Sequence, residues 1–350
     1  MIGAQDLQRA WLAELIAAPG LPGREQPVAD CLRGLLPPGW ETHTDALGNL
    51  VAVRPGAGPR VMLAAHMDEV GLIVRGISAD GFLHVERLGG ASARALPGSR
   101  LTLWTETGHL AAAVGLPPAH LDAGKPLPLE ELFIDIGARS AQEAAQWGVQ
   151  VGDGLTWDGP LQALGGTRVQ AKALDDRLGC FALLTLAHVL PPTRAQVLLA
   201  FTVQEETMLA GGVPLVGAWQ PELLIGVDGT LASDTPDFQE PGGGIRLGGG
   251  PALKWMDAIR GKLAAFVPDL ALARRLRALA AQETLPLQDE VVSGISTALT
   301  PMVYAGTGVR AAALSLPVRY HHAPVEQADL EDVAGMVNLL AAFLAQAGGA

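Results

Sequence analysis

Residues 61–69 read VMLAAHMDE, an apolar strand that runs directly into charged side chains. Three other apolar stretches end in the same way. They are VLLAFTVQ before Glu205-Glu206, LLIGV before Asp228, and AALSLPVRY before His321-His322. In an open α/β sheet the carboxyl ends of the strands form the crevice in which ligands bind. The His, Glu, Asp and His residues that follow these four strands should therefore lie at the same edge of the sheet. This pattern predicts a single site.

The order of predicted elements indicates an α/β fold with a central mixed sheet flanked by helices. Helical spacing and short buried strands occupy residues 1–69 and return from residue 167, with a strong helix at 270–282. Between these two parts, the pattern changes to short strands of alternating apolar and polar residues that are separated by Gly and Pro. We therefore predict one α/β domain, residues 1–69 and 167–350, interrupted by a small β-rich domain at residues 70–166.

The composition disfavours several kinds of partner. The chain has 350 residues and a net charge of -12, from 24 Lys and Arg against 36 Asp and Glu. Phosphate backbones and anionic lipids are bound by clustered basic side chains, so we expect neither nucleic acid nor a membrane as a partner. Cys31 and Cys180 form no cluster, which suits a cytoplasmic protein. The uncharged run at 333–350 is weakly apolar and predicts a buried terminal helix rather than a membrane span.

The residue types at the strand ends point to a metal site. Imidazole and carboxylate ligands without thiolate suit zinc, cobalt or manganese. The segment KALDDR at 172–177 adds Asp175 and Asp176 just before a predicted helix. Each piece alone has an ordinary interpretation, since an Asp before a helix is usually an N-cap. The combination favours a site, because charged residues rarely end several buried strands unless they pair or bind cations.

These motifs resemble those of the co-catalytic metallo-aminopeptidases. That family includes the glutamyl, deblocking and tetrahedral (TET) aminopeptidases, and some members are labelled cellulase or endoglucanase. The resemblance runs nearly end to end and is carried by APGLPGRE at 18–25, DALGNLVA at 45–52, AHMDEVG at 65–71, ELFIDIGARS at 131–140, KALDDR at 172–177, TVQEE at 202–206, SDTPDF at 233–238 and RYHHAPVE at 319–326. It implies a zinc-peptidase-like fold and an enzyme that hydrolyses the N-terminal residue from peptides.

The resemblance implies two divalent metal ions per subunit, zinc or cobalt first and manganese as the alternative. Asp175 would bridge the two ions, and one histidine and one further carboxylate would complete the ligand set of each ion. The implied ligands are His66 and Asp228 for one ion, and Glu206 and His322 for the other. The charge of the two ions would balance three carboxylates and a bridging hydroxide, so the cluster could lie in a cleft without a large penalty.

The catalytic residues implied by the resemblance are Glu205 and Asp68. Glu205 would be the general base, and a metal-bridging hydroxide would be the nucleophile. Asp68 would hold the ring of His66 through its second nitrogen. The peptide bond that follows Asp175 is expected to be cis.

Two neighbouring histidines, His321 and His322, compete for the last ligand position. Neighbouring residues on an extended chain face opposite ways, so the two rings are expected to point to opposite sides of the chain. The family pattern R-Y-x-H favours His322.

Two loops depart from the family pattern, and the segment TMLAGG at 207–212, after the paired glutamates, also lacks the usual arginine. Residues 247–251 read LGGGP where LGKGP is common, and residues 293–298 read SGISTA where GGTDAG is common. Neither contains an implied ligand, so the departures bear on substrate preference and subunit contacts. The resemblance also implies a homo-oligomer, from a dimer to a dodecamer, with residues 70–166 as a barrel-like oligomerisation domain.

Three alternatives remain open. A related metal-dependent amidase or carboxypeptidase would share the ligands, although the 109 positions between His66 and Asp175 leave room for an early insertion that those relatives lack. A glycosidase needs two carboxylates roughly 5 to 9 Å apart across a sugar bond, which the adjacent Glu205 and Glu206 do not readily provide. A catalytically degenerate binding homologue is disfavoured because every implied ligand is present.

Overall fold

The structure is a computed structural model that describes residues 1–118, 120, 131–239, 244–259 and 265–347. Its α-helices are α1 (Arg9–Ala17), α2 (Gln26–Leu35), α3 (Ala141–Gln146), α4 (Leu174–Val189), α5 (Glu205–Met208), α6 (Val213–Trp219), α7 (Leu270–Gln282), α8 (Leu299–Met302) and α9 (Leu330–Gln346). Its strands are β1 (Glu41–Thr44), β2 (Leu50–Arg54), β3 (Arg60–His66), β4 (Gly71–Ile77), β5 (Leu83–Leu88), β6 (Arg100–Thr105), β7 (Gly108–Val114), β8 (Ile134–Asp135), β9 (Gly154–Trp157), β10 (Gln162–Ala163), β11 (Arg168–Ala171), β12 (Gln196–Thr202), β13 (Leu223–Leu231), β14 (Asp234–Thr235), β15 (Phe238–Gln239), β16 (Ala252–Ala258), β17 (Ala265–Phe266), β18 (Gln288–Val291), β19 (Arg310–Val318) and β20 (Glu326–Asp329).

A mixed sheet forms the centre of the molecule. Its strand order is β1-β2-β12-β3-β13-β19-β16-β17, with β18 paired to β16. The strands β12, β3, β13 and β19 run parallel to one another. The pairs β1–β2, β2–β12 and β16–β19 are antiparallel. The carboxyl ends of the four parallel strands therefore open on the same edge of the sheet.

Helices cover both faces of this sheet, which explains why its central parallel strands are largely apolar. In β3, Val61 and Leu63 belong to the core on one face, while Met62 belongs to the core on the other. This alternation is the two-residue period of a strand that is buried on both sides. The buried helix α4 packs against β3, β13 and α9. Its amino-terminal end is therefore held next to the edge where the parallel strands end.

A small closed barrel lies between β3 and β10 in the chain. Its strand order is β4-β5-β8-β7-β6-β9. The inward side chains Val74, Leu103 and Leu155 belong to a core that is separate from the two cores of the central sheet. The next strand, β10, pairs with β11 in a sheet with β20. The predicted fold class, a central mixed sheet flanked by helices with a small β-rich part, is confirmed.

Two predicted helices have clear counterparts. α7 occupies residues 270–282, as the spacing predicts. The terminal helix α9 begins at Leu330, and the side chain of Asp329 caps it by accepting the main-chain N–H of Glu331 at 3.1 Å. Residues 348–350 of the predicted run lie outside the described residues. None of the described helices has the length and apolar character that a bilayer crossing requires.

Candidate metal centre

The predicted site residues converge at the carboxyl edge of the parallel strands. β3 ends in a histidine, β13 carries an aspartate near its end, α5 opens with two glutamates directly after β12, and two histidines follow β19. The residues brought together there are His66, Asp228, Glu205, Glu206, His321 and His322. Asp175 joins them from the start of α4, and the peptide bond that follows it is cis, as the resemblance implies.

Asp175 stands between two pairs that each consist of a histidine and a carboxylate. Its Oδ1 lies 3.4 Å from Nε2 of His66, and that nitrogen is 3.7 Å from Oδ1 of Asp228. Its Oδ2 lies 3.5 Å from Nε2 of His322, and that nitrogen is 3.2 Å from Oε1 of Glu206. Each oxygen of one carboxylate therefore faces a different pair. This is the arrangement that a ligand shared by two cations requires.

His321 also reaches Asp175, contrary to the sequence-based expectation. Its Nδ1 lies 3.1 Å from Oδ2 of Asp175. The expectation that the two neighbouring rings face opposite ways is wrong because the backbone is not extended at this point. Tyr320 and His322 have φ angles of 61° and 58°, in the left-handed region. These turns bring both imidazole rings to the same carboxylate.

Asp68 lies against the turn that carries the two glutamates. Its Oδ1 accepts the main-chain N–H of Glu205 at 3.0 Å, and its Oδ2 accepts that of Glu206 at 2.9 Å. The same Oδ1 is 3.4 Å from Nδ1 of His66, whereas the main-chain oxygen of Asp68 is 3.1 Å from that nitrogen. The Asp68 side chain is therefore near the ring, but its shorter contacts are with the main chain of the glutamates.

Two buried carboxylates that sequence reasoning missed hold the backbone of the site. Glu326 accepts the N–H of Asp175 at 3.0 Å with one oxygen and the N–H of His322 at 2.7 Å with the other. Asp176 accepts the N–H of His66 at 3.2 Å. The motif RYHHAPVE contains Glu326, and KALDDR contains Asp176, but neither motif says which donor the carboxylate would meet.

A buried network of charged residues joins the segment after β3 to the start of α4. The carboxylate of Glu69 accepts two hydrogen bonds from Nζ of Lys172, at 2.8 and 2.7 Å, and one from Arg177 at 3.2 Å. Arg177, which is fully buried, also donates to the main-chain oxygen of Met67 at 2.9 Å. Removing one member would leave a buried charge without a partner, which would lower the free energy of unfolding by about 3–5 kcal/mol. The network therefore fixes the two segments that carry His66 and Asp175 relative to each other.

The pKa values of the cluster reflect crowded carboxylates. Burial and the nearby Asp175 raise the pKa of Asp228 to about 7. Burial also raises the pKa of Glu205 well above its usual value, and the charges of Asp228 and Glu206 add to the shift. Burial opposes protonation of His322, but its hydrogen bonds to Asp175 and Glu206 raise its pKa to about 12. All three shifts favour the protonated form of the group, so the site stabilises added positive charge. Protons or metal cations can supply that charge.

The donor atoms fit divalent cations. Oδ1 of Asp175 is buried and has no hydrogen-bond partner among the described residues. Within the same residues, no Lys or Arg nitrogen lies within 4.0 Å of Asp175, Glu206 or Asp228, and their ion-pair contacts are with histidines. Histidine and carboxylate donors also group by threes within 4.8 Å of one another. Buried carboxylates without basic partners call for a cation.

A cavity of about 730 Å³ opens at the cluster. The metal-ligand candidates form part of its lining, and Leu231, Ile259 and Ile295 form an apolar part. Ile295 belongs to the segment 293–298, which departs from the family pattern. The cavity gives a substrate residue room beside the cluster, and the departing segment is placed where it can contact that residue.

The comparisons with known proteins agree with this geometry. The family model described as M42 glutamyl aminopeptidase matches residues 48–339. The lysyl aminopeptidase of Pyrococcus furiosus is 32% identical over 346 residues, which cover 95% of this chain and 95% of that protein. An aminopeptidase from Desulfurococcus kamchatkensis has a TM-score of 0.93 at 35% identity, covering 97% of this chain and 94% of that one. The TET1 peptidase of Pyrococcus horikoshii has a TM-score of 0.85 at 28% identity, covering 96% and 98%.

The fold and the cluster define a metal-dependent hydrolase of the aminopeptidase class. With a family model that spans most of its length, the chain belongs to the M42 glutamyl aminopeptidase family. It is a metallo-aminopeptidase, and the family resemblance read from the sequence is confirmed.

Proposed function

We propose that this aminopeptidase works with two divalent cations held at the cluster around Asp175. The observation that carries the proposal is that the two oxygens of this carboxylate face different histidine–carboxylate pairs, at 3.4 and 3.5 Å. The proposed ligands are His66, Asp228 and Asp175 for one cation, and Glu206, His322 and Asp175 for the other. Nitrogen and oxygen donors without sulfur favour zinc or cobalt, with manganese as the alternative.

The two cations would supply the electrophilic part of the chemistry, since bound divalent ions lower the pKa of a water and polarise a carbonyl. Glu205 would supply the proton transfer. Its burial raises its pKa well above the usual value, so its carboxylate accepts a proton more readily than an exposed glutamate does. A carboxylate oxygen of Glu205 would take the proton of the attacking water and then give it to the nitrogen of the leaving amine.

The position of Glu205 is set by its neighbours. Its main-chain N–H is bound by Asp68 at 3.0 Å, and the next N–H, that of Glu206, is bound by the same carboxylate. Asp68 would therefore orient the base and one ligand together. This gives Asp68 a positioning role in the reaction in addition to its contact with His66.

Residues 70–166 are proposed to be an inserted domain that carries subunit contacts in a homo-oligomer. Two findings support this. The barrel strands close on themselves and have a core of their own. The TET1 peptidase of Pyrococcus horikoshii, which this chain resembles over most of its length, can assemble into a tetrahedron or a large octahedral shell.

The proposed reaction is tested with a panel of aminoacyl-p-nitroanilides and with protein from which metals have been removed by chelation. The metal-free protein should hydrolyse none of them, and adding zinc, cobalt or manganese should restore hydrolysis. N-acetylated p-nitroanilides and carboxymethylcellulose serve as controls and should remain intact. Activity that survives chelation, or cleavage of either control substrate, would contradict the proposal.

A further inference from the structure

We propose that His321 is a positioning residue, which donates a hydrogen bond from Nδ1 to Oδ2 of Asp175 and so orients this carboxylate between the two cation positions. This inference rests on the proposed function, because it assumes that Asp175 binds cations. It assigns a role to a side chain that occupies the variable position of the pattern R-Y-x-H. The role is therefore a feature of this chain rather than of the pattern.

The direction of the hydrogen bond follows from the chemistry of its two groups. An ionised carboxylate has acceptors only, so the imidazole must donate. Nδ1 is the ring nitrogen in contact, 3.1 Å from Oδ2, and it therefore carries the hydrogen. The side chain of His321 is 12% exposed and that of Asp175 is 9% exposed. A hydrogen bond to a buried charged group is stronger than one between neutral groups, so it can select one orientation of the carboxylate.

Gly229 allows the ring of His321 to lie close to the backbone of β13. A methyl group added to Gly229 would lie 2.9 Å from Cε1 of His321 and 2.8 Å from Oδ1 of Asp175. The absence of a side chain at Gly229 therefore lets the ring and the carboxylate lie side by side over the backbone of β13. A larger residue at position 229 would push the ring or the carboxylate out of this arrangement.

The contacts also distinguish His321 from His322. Nε2 of His322 touches both Asp175 and Glu206, which makes it a donor to the second cation position. Nδ1 of His321 already carries the hydrogen that Asp175 accepts, so it has no lone pair for a metal. Its Nε2 is buried and has no hydrogen-bond partner among the described residues. Direct ligation through that nitrogen is the competing interpretation, and the experiment must separate the two.

Asparagine and glutamine at position 321 make this separation. The amide nitrogen of Asn reaches about as far as Nδ1 of histidine, whereas the amide group of Gln reaches as far as Nε2. If His321 acts through Nδ1, His321→Asn should keep the orienting hydrogen bond, and His321→Gln and His321→Ala should lose it. Both amide variants are polar and close in size to histidine, so neither depends on the fold tolerating a cavity.

The measurement is calorimetric titration of the metal-free proteins with zinc, with circular dichroism as the check on folding. Wild type should bind two ions, and His321→Asn should keep both dissociation constants within about threefold. His321→Gln and His321→Ala should raise the dissociation constant of the weaker ion by about 10–100-fold, the scale of a lost ligand-orienting group. Wild-type protein that binds fewer than two ions would instead overturn the proposed function itself.

Two results would overturn the inference while leaving the dinuclear site intact. Weakening in the Asn variant that equals or exceeds the weakening in the Gln variant would mean that the imidazole is itself a ligand. Unchanged binding in all three would mean that Asp175 is oriented without His321.

Discussion

Glu205 and Glu206 are adjacent in the chain, but Glu205 is the proposed general base and Glu206 a proposed metal ligand. Glu205→Gln removes the basic oxygen and leaves every proposed ligand in place. Metal content should therefore stay at two ions per chain, while kcat falls by about 100-fold or more, the scale of a lost general base. Glu206→Gln replaces an anionic ligand with a neutral amide, so one ion should bind more weakly, and excess metal should partly restore activity.

Metal analysis and steady-state kinetics on the two variants check this assignment. If Glu205→Gln loses metal while Glu206→Gln keeps both ions, the two roles are reversed. Near-normal activity and equal metal content in both variants would remove the basis for the dinuclear site.

At the residue scale, the sequence could predict which side chains come together at the cluster. It could not predict every residue whose hydrogen bonds fix their positions. His66, Asp228 and the paired glutamates were predictable because the end of a buried strand is an unusual place for charge. Glu326 and Asp176 were not, because they accept main-chain N–H groups, and every residue other than proline offers the same donor. The approach of His321 was missed for a related reason, since the left-handed conformation of Tyr320 has no simple sequence signature.

At the scale of elements, Glu326 joins the start of α4 to the turn after β19. It binds the N–H of Asp175 with one oxygen and that of His322 with the other. Glu326→Gln places an amide N–H opposite one of these N–H donors, so one of the two hydrogen bonds is lost. The start of α4 and the turn after β19 should then no longer be held at a fixed distance. Metal affinity should fall by about 10–100-fold.

The matched control is Glu331→Gln, which changes an exposed glutamate five residues further along the chain. It should leave metal affinity and activity unchanged. Metal titration of both variants tests whether Glu326 is needed to hold the proposed ligands in place. Wild-type metal affinity in Glu326→Gln would show that the ligands keep their positions without this carboxylate.

Asp332, in the first turn of α9, should make stability depend on pH. It is buried, and it accepts the N–H of Gly248 at 2.9 Å and of Gly250 at 2.7 Å. Burial raises its pKa from 3.8 to about 7; the nearby Asp329 acts in the same direction and Arg168 in the opposite one. Between about pH 4 and about pH 7 the folded protein therefore holds a proton that the unfolded chain has lost.

The sign follows directly: the free energy of unfolding contributed by Asp332 is largest below about pH 4 and falls as the pH rises to about 7. The change is at most about 4 kcal/mol, from about 1.4 kcal/mol per pKa unit. Urea unfolding of wild type and Asp332→Asn across this range, at fixed metal content, isolates the contribution. The free energy of unfolding of wild type minus that of Asp332→Asn should therefore fall as the pH rises from about 4 to about 7. A value of wild type minus variant that stays constant or rises over this range would show that this carboxyl does not titrate as described.

At the scale of the whole molecule, the layers were predictable and the strand order was not. Alternating apolar patterns separated a small β-rich part from an α/β part, and the barrel and the central sheet bear this out. The order β1-β2-β12-β3-β13 depends on pairing between distant segments, such as Leu50 with Phe201. Nothing in the local sequence of either strand identifies its partner, because both are short apolar runs that suit many neighbours.

The assembly proposal belongs to the same scale. Light scattering should give a mass that is a multiple of the 36.3 kDa chain, because the relatives with this fold include a peptidase that assembles into shells. The mass should persist on dilution through the micromolar range. A monomer of one chain mass over a broad concentration range would contradict the homo-oligomer and leave the barrel without its proposed role.

One shared carboxylate, that of Asp175, is proposed to hold two cations that are both needed for peptide hydrolysis. The most direct measurement titrates metal-free protein with the activating cation and records bound metal and aminopeptidase activity in the same samples. Activity should be absent without metal and should rise to its plateau only at two equivalents per chain. A plateau at one equivalent, or full activity in the metal-free protein, would contradict it.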